Sequence, residues 1–282
     1  MSENGPETVL RARAIDQSFG DVDVLSGVSL SVPRGTVAAV VGPNGSGKTT
    51  LLRVLAGIAA PTGGTVSLQR GGTGARRVGY LPQRPAFRAG FSARDTLEFY
   101  AQLLDGVDGR DVDATLERVG LGEVRDRSVG SLSGGMTRLL GLGAAVLGDP
   151  DVLILDEPGS GLDPSMVERL FRVVGDLAED GTAVVIASHE LPAVEAHADA
   201  VHVLDGGRFV ASGSPGELRS GTDATSLSEA FLRLVRTDAG ETTVRAGLDE
   251  TTEKTSAGET TERANADGNR SDVDGSEVTT DE

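Results

Sequence analysis

The sequence predicts an α/β fold with a mainly parallel core sheet, an antiparallel β subdomain ahead of it and an α-helical insertion within it. Three observations carry that prediction. VAAVV (37–41), VLILDEP (152–158) and TAVVIASHE (182–190) hold short, fully apolar runs, as strands buried on both faces require. Segments with apolar residues at helical spacing alternate with them, which implies a sheet covered on both sides. Residues 7–36 alternate instead at period two, in TVLRARAI and VSLSV joined by Gly and Pro turns.

Taken in order, the antiparallel segments lead through a turn, QSFGD, that carries Phe19. Then VAAVV enters GPNGSGKT at 42–49, and Leu51, Leu52, Val54, Leu55 and Ile58 follow at helical spacing until Gly57 and Pro61 end the run. PTGGTVSL reads as a turn entering a strand, and RRVGYLP as another, with Gln83 next. From Pro85 to Val129 the pattern is helices and polar loops, with Asp95 and Asp113 expected near the starts of TLEFYAQLL and DATLERVGL. Residues 131–148 read as a capped start and an apolar helix, GSGLDPSMVERLFRVVGDL as a turn and an amphipathic helix, and VHVLDGGRFVASG as a hairpin. The expected organisation is one folded domain at 1–237, with its helical subdomain at about 85–135, and an acidic, disordered tail at 238–282. That tail holds 13 acidic and 4 basic residues and almost no large apolar ones.

Composition narrows the chemistry. With no cysteine, disulfides, thiolate metal sites and cysteine nucleophiles are excluded. No apolar run approaches the ~18–20 residues a bilayer requires, and MSENGPETV lacks a signal-peptide pattern, so a cytoplasmic chain is expected, reaching the membrane only through a partner. A net charge of −17 argues against nucleic acid. Of 26 basic residues only Lys48 and Lys254 are lysines. Acid excess with scarce lysine predicts adaptation to high intracellular salt, while a GC-rich genome also favours arginine.

The chemistry begins at GPNGSGKT, which fits G-x-x-x-x-G-K-[ST] in the required strand–loop–helix context. Gly42, Gly45 and Gly47, with Pro43, Asn44, Ser46 and Thr50 around them, let backbone N–H groups turn inward on phosphates. Lys48 adds a compact charge, and the Thr49 hydroxyl can hold Mg²⁺. A planar guanidinium would fit that wrap poorly. Asp156, at the end of VLILD, is placed to bind the same metal, and Glu157 to polarise a water in line with the γ-phosphate.

GPNGSGKT, YLPQ, LSGGM (132–136), VLILDEP, SGLDP and IASHE together make residues 8–218 resemble the ATP-binding subunits of ABC transporters, which are P-loop NTPases. The resemblance implies ATP and Mg²⁺ as cofactors. Phe19 would stack on adenine. Gln83 would contact Mg²⁺ or the attacking water. Ser133, Gly134 and Gly135 would open a helix facing the γ-phosphate of ATP held by another subunit. Asp163 would sit at the dimer seam, and His189 would touch the γ-phosphate and support Glu157. Met136 stands where importers commonly have glutamine, which points to the ABC-2-type exporters, and Gly159 replaces a common threonine. The implied partners are a separate transmembrane permease and a second cassette, identical or paralogous, closing on two ATP molecules at the inner face of the membrane. Three alternatives stay open: an importer ATPase, a soluble non-transport ABC ATPase and a P-loop kinase. The spacing and acidity weigh against the second, and LSGGM and SGLDP against the third.

Overall fold

The N-terminal alternation forms one long hairpin. β1 (Thr8–Phe19) and β2 (Val22–Pro33) pair antiparallel, with Phe19 opposite Val22 at the turn. β3 (Val37–Val41) and α1 (Lys48–Leu55) follow, and β4 (Gly63–Leu68) returns to the other edge of β1. The computed structural model describes residues 7–69 and 76–238, so the acidic stretch beyond Asp238, expected to be disordered, lies outside the described residues.

Next come β5 (Val78–Leu81), α2 (Ala93–Ala101), α3 (Gly109–Arg118), α4 (Gly134–Val146) and β6 (Val152–Asp156). The chain closes with α5 (Pro164–Glu179), β7 (Ala183–Ala187), α6 (Leu191–His197), β8 (Ala200–Asp205), β9 (Arg208–Gly213), α7 (Pro215–Gly221) and α8 (Leu227–Asp238). The core sheet has the order β5-β6-β7-β3-β8-β9, parallel except for the β8–β9 hairpin.

Side-chain alternation divides the interior. Val152 and Ile154 of β6 face the cluster of β1, β2 and α1, whereas Leu153 and Leu155 face α4, α5 and the helical insertion. β7 splits the same way, with Val185 on the first side and Val184 and Ile186 on the second. Both strands are wholly buried, as their apolar runs require.

One helix start differs from expectation. Asp95 does begin α2, in a capping box with Ser92, but Asp113 does not begin α3. Asp108 caps α3 through Arg110 N (2.7 Å), and the Asp111 carboxylate accepts from Asp108 N (2.7 Å). The reciprocal pair satisfies free amides at the true start, and Asp113, inside the helix, pairs instead with Arg94 of α2 at 3.1 Å. Among the described residues no helix is long and apolar enough to cross a membrane.

Candidate active site

The register of β6, β7 and β3 brings their carboxyl ends level, with Asp156 beside Ala187 and Ala187 beside Val40. The residues that follow these ends therefore emerge side by side, where open α/β sheets bind ligands. Two backbone bonds extend the alignment: Glu157 N donates to Ala187 O (2.9 Å) and Ser188 N to Val40 O (3.2 Å).

Gly47 caps α1 in a left-handed conformation, φ 103°. A Cβ there would lie 2.9 Å from Leu25 Cδ2, and at Gly42 one would lie 2.2 Å from Leu204 O, so both positions demand glycine. Lys48 is buried and donates to Gly42 O (2.8 Å) and Pro43 O (3.1 Å). Pro43 O also accepts from Ser46 N (3.2 Å), which closes the loop on itself, while the buried Ser46 hydroxyl makes no protein hydrogen bond. A cavity of about 270 Å³ opens over the loop, lined by Asn44, Gly45, Lys48, Thr49 and Thr50 with Gln83 and Glu157.

The two carboxylates have different surroundings. Asp156 is 1% exposed; its Oδ1 accepts from Thr49 Oγ1 (3.1 Å) and its Oδ2 has no partner. Burial pushes its pKa up, opposed by the Thr49 bond and reinforced by the Glu157 charge. An orphaned carboxylate oxygen beside a hydroxyl fits a hard, oxygen-seeking cation. Glu157 has φ 50°, uncommon for a residue with a side chain. Its Oε1 lies 3.9 Å from Lys48 Nζ, and its Oε2 lies 2.6 Å from His189 Nδ1 and accepts from His189 N (3.3 Å). His189 Nε2 is 3.4 Å from Glu190 Oε1, so both ring nitrogens face carboxylates.

The remaining predicted residues stand apart from this cavity. Phe19 ends β1 with 58% of its surface exposed, which excludes an ordinary core role. Ser133 caps α4 through Met136 N (3.1 Å); it and Gly134 are exposed and Gly135 is half-buried. Asp163 caps α5, accepting from Ser165 Oγ (2.6 Å), Ser165 N (3.0 Å) and Met166 N (3.1 Å), and these bonds, the serine hydroxyl first, hold its carboxyl below the usual range.

The sequence reading passed over Arg138. Its guanidinium reaches from α4 to Gln83 O (2.5 Å), Glu157 O (3.1 Å) and Ser160 O (3.1 Å). The available signal was its isolation, since it is the one charged residue of α4. A long charge on an otherwise apolar helix needs partners.

A family model described as ABC transporter matches residues 25–160. The Nod factor export ATP-binding protein I of Cupriavidus pinatubonensis is 35% identical over 219 residues, covering 74% of this chain and 67% of that protein. The daunorubicin resistance ATP-binding protein DrrA3 of Streptomyces coeruleorubidus is 36% identical over 225 residues, covering 77% and 71%. The chain belongs to the ABC transporter family. A solved ATP-binding subunit of an ABC transporter has the same fold, with TM-score 0.72, 26% identity and coverage of 80% of this chain and 99% of that one. As an ABC cassette the chain is an ATPase subunit. The matched span includes the loop, Gln83, Ser133–Gly135, Asp156 and Glu157, whereas Phe19, Asp163 and His189 lie outside it. Of these three, the fold itself brings His189 to Glu157.

Proposed function

We propose that this cassette powers an ABC-2-type exporter through a separate transmembrane permease, and pairs with a second cassette around two ATP molecules at the inner face of the membrane. The names of the relatives, Nod factor export and daunorubicin resistance, support export. Support for hydrolysis rests on one observation, the Glu157 carboxylate held between Lys48 and His189 at the phosphate-loop cavity.

The loop from Gly42 to Thr50 receives the phosphates, with Lys48 on the β- and γ-phosphates and Phe19 offering an exposed ring for adenine. Thr49, Asp156 and Gln83 are the residues that would hold Mg²⁺, which when bound offsets the charge of the phosphates. Glu157 takes a proton from the attacking water as the bond to the γ-phosphorus forms and the bond to the ADP oxygen breaks. His189 orients that carboxylate and faces the departing phosphate. Ser133, Gly134 and Gly135 of the second cassette close over the γ-phosphate, with Asp163 at the seam. The permease is received by the insertion, where Phe87, Arg88, Phe91, Phe99 and Tyr100 line an open aromatic cleft of about 260 Å³ a few residues beyond Gln83.

Glu157→Gln is expected to retain ATP binding and hydrolyse at least ~10²-fold more slowly, measured as phosphate release beside nucleotide titration. Near-wild-type turnover would remove Glu157 from the base role. The acidic, lysine-poor composition supports adaptation to high salt. That reading expects loss of structure on transfer from molar salt to dilute buffer, followed by circular dichroism.

A further inference from the structure

Three backbone carbonyls from separate segments converge on one side chain. Gln83 follows β5, Glu157 follows β6, and Ser160 lies in the turn before α5, yet Arg138 bonds all three. Arg138 itself sits five residues beyond Ser133, in the second turn of the helix that Ser133 caps. Burial lowers its pKa, opposed by the charges of Glu157 and Asp156, so the guanidinium lies in the field of the two catalytic-site carboxylates without bonding either one. A five-donor fork suits this arrangement, because it meets several acceptors with little freedom left to lose.

Glu157 needs such a restraint. Its φ of 50° is a conformation a side-chain-bearing residue keeps only when its surroundings enforce it. Ala187 O fixes its N–H at 2.9 Å, and Arg138 fixes its carbonyl at 3.1 Å. The residue is thus pinned on both sides, and its carboxylate is left aimed at Lys48 and His189.

We infer that Arg138 is a positioning residue for hydrolysis, tying the orientation of α4 to the aim of the Glu157 carboxylate and to the Gln83 segment. The inference rests on the assignment of Glu157 as the base. Closure of a second cassette on Ser133–Gly135 presses on the N-terminus of α4, and Arg138 transmits any rotation of that helix to the three carbonyls. In this role Arg138 acts only through the residues it holds.

The test uses the full chain with Arg138→Gln, Arg138→Lys, Glu157→Gln and the double variant Arg138→Gln/Glu157→Gln. Arg138→Gln is expected to lower kcat by roughly 10–50-fold with ATP affinity within about twofold of wild type, and Arg138→Lys to recover part of the loss because it keeps the charge. Since Arg138 acts through Glu157, the double variant should hydrolyse no more slowly than Glu157→Gln alone. Additive losses would make the arginine a general structural residue and overturn the inference. So would a normal kcat in Arg138→Gln when Glu157→Gln is inactive. A fully active Glu157→Gln would instead overturn the base assignment itself. Thermal unfolding checks each variant; if Arg138→Gln does not fold, Arg138→Lys carries the same comparison, alone and paired with Glu157→Gln.

Discussion

The phosphate loop and the Ser133–Gly135 turn are both glycine-rich helix starts, but their glycines answer to different neighbours. At Gly42 and Gly47 the chain's own atoms leave no room for a Cβ. At Gly134 a Cβ would meet nothing within 4 Å, and at Gly135 the nearest atoms would be side-chain ones, Met166 Cε at 2.9 Å and Leu162 Cδ2 at 3.5 Å. Around the loop, Lys48, Thr49, Asp156, Glu157 and His189 bond or pair with one another, while Ser133 satisfies only its own helix. The residues around the loop are thus tied to one another within the chain. Among the described residues nothing explains the glycine at 134, which fits the proposed approach of a second cassette.

The sharpest way to break that contrast is Gly134→Val. The fold should tolerate it, as valine is no worse than glycine in a helix. ATP binding should persist, and hydrolysis should fall by ~10² or more through loss of close approach at the helix N-terminus. Lys48→Ala should be equally inactive, from the other half. Mixing the two variants should restore phosphate release, because a hybrid pair holds one site with an intact loop and an intact Gly134. A mixture as inactive as its parts would place the whole site in one subunit.

A smaller effect is expected inside the self-contained half. Lys48→Arg keeps the charge, but the loop carbonyls at 2.8 and 3.1 Å leave no space for a guanidinium. Loss of a charge-assisted contact corresponds to about a tenfold to hundredfold weaker affinity for ATP, read by nucleotide titration. Unchanged affinity would show the loop to be more pliable than its own bonds imply.

The same division governs what the sequence made legible. VAAVV, VLIL and AVVIA could be read as core strands because burial on both faces leaves no polar residue in them, and the site at their ends followed from strand order. The start of α3 was harder to read: Asp113 was expected there because it stands just ahead of the apolar positions, and only the reciprocal bonds of Asp108 with Arg110 N and Asp111 mark the true cap. The Ser214–Glu217 capping box that starts α7 was present as S-x-x-E directly after the β8–β9 hairpin. Arg138 was out of reach in a stronger sense. Its partners are backbone carbonyls 19, 22 and 55 residues distant, and carbonyls have no letter in the sequence.

The smallest effect concerns the sheet that supports the loop. His202 lies on β8 beside Val40, bonds Ser212 Oγ (2.8 Å) and leans on the Phe209 ring at 5.0 Å. Burial lowers its pKa from 6.5 to about 4. As pH falls from about 6.5 towards 4, the unfolded chain therefore takes up a proton that the native state refuses, and stability present above that window is lost. With discount for the partial exposure of the ring, the loss is roughly 1–2 kcal/mol. Asp156 works in the opposite sense: its raised pKa means that the native state regains stability as this buried carboxylate is protonated. His202→Gln keeps a partner for Ser212 and removes only the first of these effects. Relative to wild type, that variant should gain stability between pH 7 and pH 4.5 in denaturant titrations. A difference between the two proteins that stays constant across that range would mean that His202 does not titrate in the window its burial sets.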